Sequence, residues 1–209
     1  MARIPLRDAE SVRSQRGEPT WEIAQIFPRQ GEWTIREYLR LPTERRVEYD
    51  RGRLEFLPMP TEYHQDILEF LYRQLFEFVA NRGLGKVHVA GLRVRTRRRK
   101  FREPGVAFLS RENSRHRKGL YWEAADLVVE VVSEDEPNRD WVKKRREYAK
   151  AGIPEYWIAD PRDRTLTVFT LDPGAAEYRE AGRYRDGETA RSVLLDGLTV
   201  DVTAAFTHE

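Results

Sequence analysis

Residues 126–133 read Asp-Leu-Val-Val-Glu-Val-Val-Ser, "DLVVEVVS". From Leu127 to Val132, five of the six residues are aliphatic and four of those are valine. Such a run predicts a strand covered on both faces, inside a sheet with other layers packed against it. Glu130 interrupts the run with a carboxylate. Burying that charge without a partner is strongly unfavourable. Either a cation is buried beside it or the strand end opens to solvent.

Working outward, the pattern alternates between strand and helix. "KVHVAGLRVRT" (86–96) predicts one strand, followed by a basic turn, and "EPGVAFLS" (103–110) predicts an antiparallel partner that runs beside Glu130. A charged helix is expected from about Asn138 to Ala151, ended by Gly152. "PEYWIADP" and "RTLTVFTL" form a hairpin around 160–163. Upstream, Thr34 and Glu37 stand in capping-box spacing for a short helix closed by Pro42. "RRVEYDRGRLEFLPMP" (45–60) predicts a hairpin turning at Asp50-Arg51-Gly52. Apolar residues at Ile67, Leu68, Leu71, Leu75, Phe76, Phe78 and Val79 predict an amphipathic helix stopped by Gly83. Residues 111–124 read as a loop and 177–203 as short strands. The sum is an α/β (α+β) class protein with a mixed sheet flanked by helices. The polar, aperiodic residues 1–20 read as a loose arm and 21–209 as one domain.

Composition narrows the function. No stretch approaches the ~20 apolar residues of a membrane span. The N-terminal residues lack the apolar centre of a secretory signal, and the chain has no cysteine, so disulfides and thiolate zinc sites are excluded. A cytoplasmic location is the expectation. The net charge of +2 is too small to imply nucleic acid, but its distribution is uneven. "RVRTRRRKFR" at 93–102 holds seven basic residues in ten, and "KKRR" follows at 143–146. Arg95, Arg97, Arg98, Arg99, Lys100 and Lys143 are therefore candidates for a phosphate-contacting ridge, since basic side chains gain by releasing counterions. The same pattern also fits a solvated hairpin tip.

Familiar catalytic motifs are missing. "GLGK" (83–86) leads from helix to strand without phosphate-loop spacing, and the four histidines show no zinc-ligand spacing. His64, beside Gln65 at a helix start, fits a capping or hydrogen-bonding role as well as a catalytic one. Lys144 borders the buried face of its helix, which carries Trp141 and Tyr148, and is placed to reach toward Glu130. Asp140 and Lys144 are also an ordinary i, i+4 pair. A buried carboxylate near a lysine and further acids suits a hard divalent cation and an activated water.

"GEWTIREYLRL", "RRVEYDRGRLEFLPMPTEYHQ", "FREPGVAFLS", "ADLVVEVVS" and "RDWVKKRREYAKAGIPEYWIADP" together resemble the Uma-type family, bacterial proteins assigned as endonucleases within the PD-(D/E)XK superfamily. The resemblance runs from about Trp21 to Phe206. It implies a restriction-endonuclease-like core and phosphodiester hydrolysis of DNA assisted by Mg²⁺ or Mn²⁺. It implies Glu130 and the Val131 carbonyl as metal ligands and Lys144 as the catalytic lysine, the superfamily's usual lysine place being taken by Val132. It matches Glu48 to the acid of the first hairpin and His64-Gln65 to a helix start. By resemblance alone, a homodimer is expected.

One position departs. The family's Arg-Glu-Pro-Asp carries a metal-binding aspartate, and this chain reads Arg102-Glu103-Pro104-Gly105. Glu103 would share a strand face with position 105, roughly 7 Å along, and is the nearest substitute. Three readings stay open: a metal-dependent endonuclease, active or weakened; a catalytically inactive nucleic-acid-binding protein on a nuclease fold; and a structural protein.

Overall fold

Leu127, Val129 and Val131 face one layer of the molecule, while Val128 and Val132 face another, so the 126–133 run is a strand buried on both sides. This strand, β7 (Leu127–Val131), lies inside a six-stranded sheet in a computed structural model that describes residues 27–207. The arm expected at 1–20 lies outside the described residues.

In chain order the elements before β7 are α1 (Ile35–Leu39), β1 (Val47–Asp50), β2 (Arg53–Phe56), α2 (Glu62–Arg82), β3 (Gly85–Val89), β4 (Val94–Arg97), β5 (Lys100–Arg102), β6 (Val106–Ser110) and, within the expected loop, a 3₁₀ turn (Ser114–His116). After it come a π-helical segment (Arg139–Lys144) that continues into α3 (Arg145–Ala151), then β8 (Glu155–Asp160) and β9 (Thr165–Thr170). β10 (Arg179–Tyr184), β11 (Thr189–Arg191), β12 (Thr199–Asp201) and α4 (Val202–Phe206) complete the described chain.

The six-stranded sheet has the order β10-β9-β8-β7-β6-β3. Its one parallel pair is β7 with β8, and the connection between them carries the π segment and α3 across one face, as parallel neighbours require. α2 covers the other face with Ile67, Leu68, Leu71, Leu75 and Phe78. Thr61 caps the start of α2, and Gly83 ends it in the left-handed conformation (φ 62°) that glycine adopts without strain. A four-stranded sheet, β2-β1-β5-β4, packs Tyr38, Tyr49 and Phe101 into a smaller aromatic core. None of the helices among the described residues is long and apolar enough to cross a membrane.

Three expectations need correction. The strand expected over 86–96 is two strands in different sheets, β3 and β4, because the chain bends around Gly91 (φ 93°). The helix expected over 138–151 begins as a π-helical segment. The C-terminal strands are followed by a short helix, α4, whose start is capped by Asp201 accepting from the Ala204 N–H.

Candidate functional site

Where β7 ends, the chain leaves the sheet and enters the π segment, and the gap between that segment and the start of α2 is a cleft of about 460 Å³. Its lining includes Arg46, His64, Gly105, Glu130, Val131, Arg139, Asp140 and Lys144. Strand alternation puts Glu130 on the α3 side of the sheet, among Val128, Val132 and Tyr148.

Glu130 is 3% exposed and its carboxylate is held from three sides. Oε1 accepts a 2.6 Å hydrogen bond from the Tyr148 hydroxyl, and Oε2 accepts one of 3.2 Å from the Gly105 N–H. The Lys144 ammonium stands 3.0 Å from Oε1. The cation demanded by a carboxylate inside the strand is therefore Lys144. The same ammonium lies 3.0 Å from Oδ1 of Asp140. Burial pushes the Asp140 carboxyl up to about 6; Lys144 opposes this and the Glu130 charge adds to it. Burial likewise disfavours the charged form of Lys144, but Asp140 and Glu130 outweigh it and hold the ammonium protonated.

His64, in the first turn of α2, lies with Nε2 3.1 Å from the Val131 carbonyl. A carbonyl can only accept, so Nε2 carries the proton. Burial, together with the cations of Arg46 and Lys144, lowers the pKa of the ring and keeps it neutral. The bond steers the Val131 carbonyl and leaves that oxygen a second lone pair.

Two other acids singled out in the sequence go elsewhere. Glu48 is fully buried; Arg102 donates to Oε2 at 2.7 Å, and Arg139 donates to the same oxygen. Burial opposes its ionisation, but Lys144, Arg102 and Arg139 hold its carboxyl below the usual range. Glu103 does not line the cleft: it faces Arg93 at 3.5 Å, and its Oε2 has no hydrogen-bond partner. The strand-face argument that put it near position 105 fails because residues 103–105 lie between β5 and β6, outside any strand. Position 105 itself is crowded. A Cβ on Gly105 would meet Leu68 Cδ1 at 2.6 Å and the Val129 carbonyl oxygen at 3.0 Å.

The basic ridge divides. Arg95 pairs with Glu123 at 3.0 Å, Lys100 with Asp50 and Glu147 at 2.8 Å, and Lys143 with Glu55 at 3.6 Å. Arg97, Arg98 and Arg99 are exposed at the β4–β5 turn, and none of them has an ion pair among the described residues. Sequence reasoning passed over Asp140 as a surface helix pair and over Tyr148 as core. The signal was available in the i, i+4, i+8 spacing of Asp140, Lys144 and Tyr148, a polar stripe on a face otherwise buried.

A family profile described as "Putative restriction endonuclease", Uma2, matches residues 35–203. The chain belongs to the Uma2 family. Its fold is also that of a solved protein from Anabaena variabilis, titled a "putative nuclease belonging to DUF820". The TM-score is 0.66 at 20% identity, over 83% of this chain and 97% of that one. No curated protein matches the sequence. In this Uma2 member, among the described residues, no three His, Asp or Glu side chains are grouped to hold a metal. Mg²⁺, however, takes one or two carboxylates and keeps several waters. Glu130, the Val131 carbonyl and Asp140, whose buried Oδ1 accepts no hydrogen bond, are hard oxygen donors of that kind.

Proposed function

We propose that this chain is a DNA endonuclease dependent on Mg²⁺ or Mn²⁺, slowed by the glycine at position 105. The observation that carries the reading is the Glu130–Lys144 pair, 3.0 Å apart and buried at the wall of an open cleft. A buried salt bridge adds little to stability on average, so a pair kept at a cleft suits chemistry better than folding. A bound divalent cation would lower the pKa of a coordinated water and neutralise charge on the phosphate.

The chain's own residues supply the rest. Tyr148 and the Gly105 N–H fix the orientation of the Glu130 carboxylate. His64 fixes the Val131 carbonyl. Lys144 would orient the attacking water and offset the negative charge that grows as water oxygen adds to phosphorus and the ester P–O bond breaks. Arg46 adds positive charge to the cleft lining, suited to a phosphodiester, whereas Arg139 is taken up by Glu48 and Glu55.

A second reading, DNA binding without cleavage, is favoured by one observation. Position 105 carries no carboxylate, and Leu68 Cδ1 lies where its Cβ would stand. Nicking of supercoiled plasmid in Mg²⁺ and in Mn²⁺ separates the two. Cleavage by wild type that vanishes in Glu130→Ala supports the nuclease. Duplex binding with no cleavage in either metal leaves the second reading.

A further inference from the structure

We infer that Asp140 is a carboxylate ligand of the divalent cation and supplies, from the π segment, the charge that position 105 does not. The inference rests on the metal-dependent reading above.

A cation site at Glu130 needs a second acid more than most, because Lys144 already offsets the one carboxylate present. The candidates can be sorted by where their oxygens point. Position 105 has no side chain, and the volume a Cβ would need is taken by Leu68. Glu103 is turned to Arg93, and Glu48 is saturated by Arg102 and Arg139. Glu134, Asp135 and Glu136 line the cleft but are exposed at its mouth, where water competes for them. Asp140 is the remaining acid of the lining, and it is 2% exposed.

Its charged partner is the ammonium that Glu130 also holds. Oδ1 lies 3.0 Å from that nitrogen but accepts no well-aligned hydrogen bond among the described residues. A buried carboxylate oxygen held by half of one shared cation can take a further positive ligand at little cost. Oδ1 of Asp140 and Oε1 of Glu130 each lie 3.0 Å from the same nitrogen, so they are at most 6.0 Å apart, twice that distance. The ammonium occupies the space between the two carboxylates that a metal ion would enter. The backbone around Asp140 is pinned on the far side, where its carbonyl accepts from the Tyr156 hydroxyl at 3.2 Å. π-Helical turns of this kind recur at functional sites because they re-aim side chains within a helix.

The competing role for Asp140 is to position Lys144, and the two roles differ when Lys144 is removed. The experiment is a Mn²⁺ titration of the full chain by electron paramagnetic resonance, with the Mn²⁺-induced rise in Tm as a second readout. Wild type, Glu130→Gln, Asp140→Asn, Lys144→Met and the double variant Lys144→Met/Asp140→Asn are compared. Even removing a residue that only orients a ligand costs roughly 10–100-fold in metal affinity, so loss of a ligand costs at least as much. Asp140→Asn and Glu130→Gln are each expected to weaken Mn²⁺ by roughly tenfold or more, and Lys144→Met to strengthen it by removing the competing ammonium. In the Lys144→Met background, Asp140→Asn is expected to weaken Mn²⁺ again. Equal Mn²⁺ affinity of Lys144→Met and the double variant overturns the inference while the metal-dependent reading stands on Glu130. No Mn²⁺ binding by wild type overturns both.

Discussion

Glu103 shows how far burial alone moves a side chain from its expected behaviour. It is 2% exposed, its Oε2 accepts no hydrogen bond and its guanidinium partner Arg93 is 3.5 Å away. Burial raises its carboxyl to about 7 against the pull of Arg93 and Arg46. The native state then holds this proton more tightly than the unfolded chain. The stabilisation from the neutral acid is complete below the ordinary carboxyl range and is lost as pH rises through about 7. Wild type should therefore lose stability relative to Glu103→Gln between pH 4.5 and about 7, by on the order of 3 kcal/mol at most. Urea denaturation of both proteins across that range measures the difference, and a flat difference would mean that Glu103 stays ionised with Arg93. Position 105 belongs to the same scale. A side chain at position 105 would press on Leu68 Cδ1 and on the Val129 carbonyl oxygen, a proximity invisible in the one-dimensional pattern.

At the scale of elements, one buried ionic network joins the four-stranded sheet to the crossover. Glu48 on β1 receives Arg102 from β5 and Arg139 from the π segment, and Arg102 also bonds Glu147 on α3 at 2.6 Å. Removing a single member leaves the others charged and buried, which is more costly than removing the whole set. Glu48→Ala is expected to destabilise the fold by roughly 3–5 kcal/mol and to leave Mn²⁺ affinity close to wild type. Chemical denaturation and Mn²⁺ titration check the two halves. Stability near wild type together with lost metal affinity would return Glu48 to the site. The hairpin that carries Glu48 was legible from its alternation and its Asp50-Arg51-Gly52 turn, whereas the destination of its carboxylate was not.

For the whole molecule, the question is which of many charges meet solvent and a partner. Arg95 and Lys100 are neutralised within the fold, while Arg97, Arg98 and Arg99, exposed at the β4–β5 turn, have no ion pair among the described residues. Only unneutralised cations release counterions on meeting phosphates. Replacing the three turn arginines with alanine is expected to weaken duplex DNA binding and to flatten its logarithmic salt dependence by roughly 0.9 for each phosphate no longer neutralised. Arg95→Ala is expected to leave the slope near that of wild type. Fluorescence anisotropy over a series of salt concentrations measures both, and an unchanged slope in the triple variant would remove this turn from the DNA-binding surface.

The sequence by itself determined the elements around the site. The doubly buried strand, the capped α2, the hairpins and the helix lysine follow from periodicity and turn chemistry, which act between residues near in the chain. The demand for a cation beside Glu130 was equally plain, because a charge inside an apolar run is costly wherever it folds. Only the tertiary structure decided which acids share that cation. Glu48, Glu103 and Asp140 are chemically alike in the sequence, but packing gives the first two arginine neighbours and brings Glu130 of β7 to the ammonium that Asp140 already faces four residues away. That sorting depends on distances between elements far apart in the chain, and in a dry interior a few ångströms of separation decide whether a carboxylate is paired.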